Sequence, residues 1–464
     1  MAKRKLTQRR KLHQPQVPRH FQDSAATLVV QNPHAAGIDV HADLHVVCVG
    51  PGLVQEFGAY TADLHAIVAY LRDHAITTVA LESTGVYWIP LYELLESEGF
   101  EVFLLEPGQL KHCGARPKTD VLDAQWIQRL HTYGLLRGSF RPPDNLLKLR
   151  AYWRQRQLLI RLAAMHVQHM QKALEQMNVK LTEVLSDITG VTGMLIIQAI
   201  LDGERQPQVL AQFRHEQCAK SEEEIARALD GIWREEHLFA LQQAYELFQC
   251  YQQKLSDCDR RLEAELHTLP QRAGDQEHQP RPRERGRKKN DLRFEASGLL
   301  FQALGVDLTR IPGIDVATAL VVLAEIGVDV SRFPTEKHFA SWLGLCPREG
   351  RSNQTPKKRA PRKGQNRLAQ ALRMAAQAVG RTQTVLGLFY RRIKSRIGGK
   401  GAVTATAHKM AVLIYRMLRQ GTEYVAASLE DYEARMKAKL RASLQKKAAA
   451  LGYQLTPKGA AQPS

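Results

Sequence analysis

Two short apolar runs in the first third of the chain each carry an acid at their end. AAGIDV (35–40) carries Asp39, and TTVALE (77–82) stops on Glu82. A carboxylate among Val, Ile, Leu and Ala is costly to bury unless it is paired or faces a cation. Asp120 and Asp123 lie three apart in KTDVLDAQWIQRL, which reads as a helix, so both sit on one helix face. Four acids arriving from two strands and a helix suit Mg²⁺, with Mn²⁺ as a substitute, and so suit phosphodiester chemistry. Each acid taken singly has a plainer reading: Asp120 is favoured at a helix start by the dipole, and Glu82 serves as a surface acid at a strand end. Asp43, Glu56 and Glu106 rank lower, Glu106 being the nearest rival to Glu82 because it too follows an apolar strand.

The elements around these acids alternate. GIDV and HVVCVG read as strands joined by HADL, and VQEFGAY suggests a third. TADLHAIVAYLRDH has helical periodicity, with Leu64, Ile67, Val68 and Leu71 on one face. TTVALE is the fourth strand, and WIPLYELLESEG is a helix closed by Gly99. FEVFLLE is the last strand, and TDVLDAQWIQRLHTYG is a helix stopped by Gly134. Three strands, helix, strand, helix, strand, helix is the order of a ribonuclease-H-like sheet. In such a sheet the first strand is central and the fourth lies beside it, which brings Asp39 and Glu82 together. A Rossmann fold is the competitor, but no G-x-G-x-x-G follows the first strand. Ser83 and Thr84, just after Glu82, read as an N-cap of the next helix, with exposed N–H groups suited to a phosphate.

Charge points to the partner. Lys and Arg number 65 against 47 Asp and Glu, a net +18, and the pI is near 9.7. An excess of this size marks a polyanion partner, nucleic acid above all. The six cysteines are scattered with no C-x-x-C pair, which argues against a zinc site of the usual spacing and fits a reducing cytosol. The basic start MAKRKLTQRRKLHQPQ has no apolar stretch behind it, so it reads as a cationic arm rather than a signal peptide, and no run is long enough to span a membrane.

The expected organisation is a basic flexible arm (1–34), a catalytic α/β domain (35–142), a helical or coiled-coil arm (143–270), a basic linker (271–296), a mostly helical second globular domain (297–425) and a basic helical tail (426–464). Residues 145–186 read as one long helix and 221–268 as helical again. Their polar faces favour an arm over an ordinary packed pair. LTRIPGIDVATALVVLAEIG reads as helix, Gly-containing turn and helix, a helix-hairpin-helix-like element whose N–H groups suit a phosphate. LSDITGVTGMLIIQAILDG has a similar pattern and reads as a degenerate copy.

A second constellation occupies 339–379. A short apolar helix leads into PRE, then a Ser/Asn/Gln/Thr segment, a cationic loop and an amphipathic helix from about Gln365. Arg348, Arg351, Lys357, Lys358, Arg359, Arg362 and Lys363, together with Lys118 in RPKTD, are the candidate phosphate contacts. On spacing alone Ser352 is a turn residue, since a hydroxyl is a poor nucleophile without a base or a strongly positive setting.

GIDVHAD, ALESTGVYW, KTDVLDA, RIPGIDVATALVVLAEIG, FASWLGLCPRE and KGQNRLAQALRMAA resemble, in that order, the marks of DEDD-type insertion-sequence transposases over most of 35–425. The resemblance implies a RuvC-like domain followed by a C-terminal transposase domain. It implies that Asp39, Glu82, Asp120 and Asp123 are the four metal-binding acids. It implies further that Ser352 is a nucleophile forming a covalent phosphoserine link to DNA, although Arg351 stands where the family has a first serine. Donor and target DNA, a structured guide RNA encoded by the element, a dimer or tetramer, and a bacterial cytoplasmic, nucleoid-associated location follow from the same resemblance. A water-using, RuvC-like endonuclease or junction resolvase is the enzymatic alternative, and a nucleic-acid scaffold with structural acids is the non-enzymatic one.

Overall fold

The computed structural model describes residues 29–106, 119–273, 280, 289–346 and 366–421, the backbone of 349–352 and 355–358, and parts of 434–454. The chain divides into two compact units, 1–141 and 142–464.

In the first unit the apolar runs pair as strands: β1 (Ala35–Val40), β2 (Leu44–Gly50), β3 (Leu53–Gly58), β4 (Thr78–Glu82) and β5 (Glu101–Leu105). Their order is β3-β2-β1-β4-β5. β1 to β3 form an antiparallel meander, whereas β4 runs parallel to β1 and β5 parallel to β4. The parallel strands are apolar almost throughout because both sheet faces are covered. Helices α1 (Thr61–Asp73) and α2 (Trp88–Ser97) cover one face, packing residues such as Leu64, Ile67 and Leu91 on Ile38, Val79 and Leu81. Helix α3 (Asp120–Thr132) covers the other, with Ile127 and Leu130 on Ala80 and Leu105 and Ala124 on Val46 and Cys48. Gly37 lets α3 lie directly on the central strand. A Cβ there would stand 2.2 Å from the Gln128 amide nitrogen and 2.5 Å from the Ala124 carbonyl oxygen.

The far end of α3 is tied to the segment before β1. The Gln31 and Asn32 amides both donate to the Thr132 carbonyl at 2.9 Å, and Asn32 Nδ2 donates to the His131 carbonyl at 2.7 Å. His131 is 1% exposed, beside the Phe103 ring, with Nε2 2.9 Å from Thr78 Oγ1. Burial lowers its pKa from 6.5 to about 4, so the folded chain holds it neutral while the unfolded chain takes a proton below 6.5. Stability is therefore lost as pH falls from 6.5 towards 4. Urea unfolding of the wild type should show about 2 kcal/mol lost between pH 7 and pH 5 on this account. A His131→Gln variant should lack that component, and equal pH slopes in the two proteins would refute the assignment.

The second unit is helical apart from one hairpin among its described residues. α4 (Asp144–Gln176) ends before the single long helix expected over 145–186 would have, because Asn178 turns left-handed (φ 57°). Short helices α5 (Leu181–Val184), α6 (Val191–Leu201) and α7 (Pro207–Ala211) follow. The helical stretch expected over 221–268 is broken into α8 (Glu222–Leu229) and α9 (Glu235–Thr268). The break has a packing cause: the Lys180 amide donates to Ala228 O and the Ile232 amide to Met177 O, both at 2.7 Å, so 230–234 leaves the helix to meet the end of α4. α4 and α9 pack side by side. Part of their polarity faces inward, since Arg156 and Asp259, each 3% exposed along the side chain, form an ion pair at 2.6 Å. Arg156 also donates to the carbonyls of Asn290 and Asp291.

Beyond these lie α10 (Ala296–Leu304), a 3₁₀ turn (Leu308–Arg310), α11 (Val316–Ile326), α12 (Glu336–Trp342), α13 (Arg367–Val379) and α14 (Val385–Gln420), the last interrupted at Gly398 (φ 79°). The first helix expected in RIPGIDVATALVV is only the 3₁₀ turn, fixed by Asp307 Oδ1 accepting from the Thr309 amide and hydroxyl. α11 starts at an Asp315 cap that accepts from the Thr318 amide. Glu325 on α11 accepts from Arg154 at 3.0 and 2.8 Å and pairs with Arg150 at 3.1 Å, which ties α11 to α4. The Tyr415 hydroxyl of α14 donates to the Phe333 carbonyl at 2.7 Å. Residues 349–358, expected as loop, instead contain a two-stranded hairpin, β6 (Glu349–Ser352) and β7 (Thr355–Lys358). No described helix is long and apolar enough to cross a membrane.

Candidate metal centre

β1 and β4 carry their acids to one edge. Ile38 pairs with Leu81 across the parallel ladder, so Asp39 and Glu82 are the next residues on neighbouring strands. Strand alternation turns them to the face that holds Gly37 and Ala80, and α3 covers that face. The helix enters this edge with Thr119 as its cap, accepting from the Leu122 amide. Asp120 is its first residue and Asp123 lies one turn on. The helix-dipole reading of these two acids and a metal-binding reading share this geometry.

Asp39 and Asp120 meet, with a third side chain between them. His41 Nε2 stands 3.2 Å from Asp39 Oδ2 and 3.4 Å from Asp120 Oδ1. One ligand atom from each of the three lies within 4.8 Å of the others. Glu82 and Asp123 are outside that set, although the Asp123 charge is felt at Asp39. Asp39 is 3% exposed. Burial pushes its pKa above the ordinary carboxylate value, the His41 charge and hydrogen bond pull it down, and Asp123 and Asp120 push it up again. A buried carboxylate facing two more negative groups is eased by a cation, so the donor set of two carboxylates and an imidazole fits a divalent metal.

His41 is a member of this site that was not among the expected residues. Its signal was the period of two along an extended strand, which puts residue 41 on the side of residue 39. Ser83 corrects another expectation: it caps no helix, since α2 begins at Trp88 with no side-chain cap. Its hydroxyl donates to the Leu105 carbonyl at 2.7 Å, tying β4 to β5, and Gly85 (φ 57°) turns the chain before the helix starts. Asp43, Glu56 and Glu106 are exposed.

Ser352 and Arg351 lie on β6, and Lys357 and Lys358 on β7. Ser352 pairs with Thr355 at the tip of the ladder and Arg351 with Pro356. Lys118, Arg348, Arg359, Arg362 and Lys363 fall outside the described residues.

A family model described as Transposase, of the DEDD type named for IS110, matches residues 36–179. A second, described as Transposase IS116/IS110/IS902 family, matches residues 307–391. The two matches, with a relative from Streptomyces coelicolor, support an IS110-family transposase. The first match takes in all four acids of the sheet edge and the second takes in the β6–β7 hairpin. An uncharacterized 43.6 kDa protein of insertion element IS110 from Streptomyces coelicolor is 36% identical over 121 residues, 25% of this chain. The matched stretch covers 29% of that relative's length.

Proposed function

We propose that this IS110-family protein is a DNA strand-transfer enzyme working through a divalent cation held at the β1–α3 edge. The observation that carries this reading is the convergence of Asp39, Asp120 and His41 within 4.8 Å at the end of the central strand. The strand order and directions support a ribonuclease-H-like, RuvC-like catalytic domain over 35–142, followed by a helical arm and the transposase domain at 297–425.

Mg²⁺ or Mn²⁺ bound there would stabilise charge on the phosphodiester oxygens. Asp39 and Asp120 would hold the cation, Glu82 and Asp123 would complete its acidic surround, and His41 stands within reach of the first two. Ser352 at the hairpin tip acts as nucleophile. Its hydroxyl oxygen bonds to phosphorus, the bond to one strand's oxygen breaks, and that oxygen takes a proton as the serine gives one up. Reversal of the step onto a second strand rejoins the DNA. The net charge of +18 supports donor and target DNA as partners, with Lys118, Arg348, Arg351, Lys357, Lys358, Arg359, Arg362 and Lys363 on phosphates. A structured guide RNA, a dimer or tetramer, and work at the nucleoid in the cytoplasm rest on the family resemblance.

Ser352→Ala separates strand transfer from hydrolysis. Wild-type protein with DNA carrying the element's ends should give an adduct that survives denaturation, and the variant should give none, with strand cleavage reduced by at least about a thousandfold. Undiminished cleavage in the variant would make the protein a water-using nuclease of the junction-resolvase kind.

A further inference from the structure

We propose that His41 is itself a ligand of the divalent cation, making the centre a mixed nitrogen and oxygen site rather than an all-carboxylate one. The inference rests on the cation reading above. Two ligands of one ion at about 2.1 Å, at right angles to each other, stand about 3 Å apart. His41 Nε2 stands 3.2 Å from one carboxylate oxygen and 3.4 Å from the other, a spacing that suits adjacent positions on one ion.

The placement of His41 is built into the fold. Its amide donates to the Leu44 carbonyl at 3.0 Å, closing the tight turn between β1 and β2. Its backbone is thus fixed by the hairpin that also fixes Asp39. Its side chain is 39% exposed and that of Asp120 54%, against 5% for Asp39. The imidazole therefore stands where an entering ion and a phosphate would meet it. To ligate, Nε2 must offer its lone pair and Nδ1 carry the proton.

The consequence is metal preference. Imidazole suits Mn²⁺ and later first-row ions better than Mg²⁺, which favours oxygen. Relative to an all-oxygen centre, this one is tilted towards Mn²⁺.

The test is Mn²⁺ bound to the full-length protein, read by pulsed electron paramagnetic resonance for nitrogen hyperfine coupling and by calorimetry for affinity. Wild-type protein should show the coupling. His41→Ala should lose it and bind Mn²⁺ about tenfold more weakly, with Mg²⁺ affinity changed by less than about threefold. His41→Asn, which offers an oxygen, should restore affinity without the coupling. Mn²⁺ that depends on Asp39 but shows no nitrogen coupling would overturn the inference and leave the cation site standing, with His41 only a hydrogen-bond donor to Asp39. A wild-type protein that binds no Mn²⁺, or binds it equally well after Asp39→Asn, would remove the cation reading and this inference with it.

Discussion

Asp39→Asn should leave a protein that folds and holds nucleic acid but cuts none. The substitution keeps the shape of the side chain and removes its charge. Asp39 is nearly fully buried, with His41 in hydrogen-bond reach and two further carboxylates acting on it. Neutralising it relieves charge burial, so the thermal midpoint should stay level or rise. Catalysis should fall by at least about a hundredfold, since loss even of a group that merely supports a metal ligand costs about 10- to 100-fold. Mn²⁺ should raise the wild-type midpoint by mass action and leave the variant's unmoved. Strand cleavage, DNA affinity and melting with and without Mn²⁺ decide it. A variant with normal cleavage would show Asp39 to be structural and would favour a nucleic-acid scaffold.

Gly37→Val should separate α3 from the sheet and take the centre with it. A Cβ at residue 37 meets backbone, not a flexible side-chain end: Gln128 N at 2.2 Å, Ala124 O at 2.5 Å and Gln128 Cα at 2.8 Å. Real Cβ atoms do not approach so closely, so the helix must move outward. The move opens the packing of Ala124 on Val46 and Cys48 and of Ile127 on Ala80. A cost of about 3 kcal/mol or more is expected, the upper range for overpacking. Asp120 and Asp123 travel with the helix, so Mn²⁺ affinity should drop even at temperatures where the variant stays folded. Denaturant unfolding and calorimetry on the same protein test both parts. Unchanged stability would mean that α3 does not rest on the central strand.

The first unit was largely legible because its signals are local and repeat. Apolar runs of five or six residues with an acid at or next to their end mark β1 and β4, and the glycines at 99 and 134 stop the turns after α2 and α3 in left-handed conformations. The spacing of Asp120 and Asp123 placed both at the start of α3. What was misread depends on partners distant in sequence. Ser83 looked like a cap because Ser before a helix usually is one, yet its hydroxyl goes to Leu105 on the neighbouring strand. The stretch 221–268 looked continuous because every residue in the 230–234 gap except Gly231 tolerates a helix. The Met177 carbonyl captures the Ile232 amide and breaks it. The polar faces of 145–186 and 221–268 suggested a solvated arm, yet Arg156 and Asp259 are buried there, each made tolerable inside by the other and by backbone partners.

The sequence by itself determined the alternation of strands and helices in the first unit, the acids near the ends of its central strands, and the cationic character of the whole, because periodicity and charge are properties of neighbours along the chain. Only the tertiary structure decided that His41 stands between Asp39 and Asp120, that α3 rests against β1 at Gly37, and that the polar run at 349–358 pairs as a hairpin. Those outcomes turn on which segments come within a few ångströms of each other. Short-range forces act only after the backbone has closed that distance.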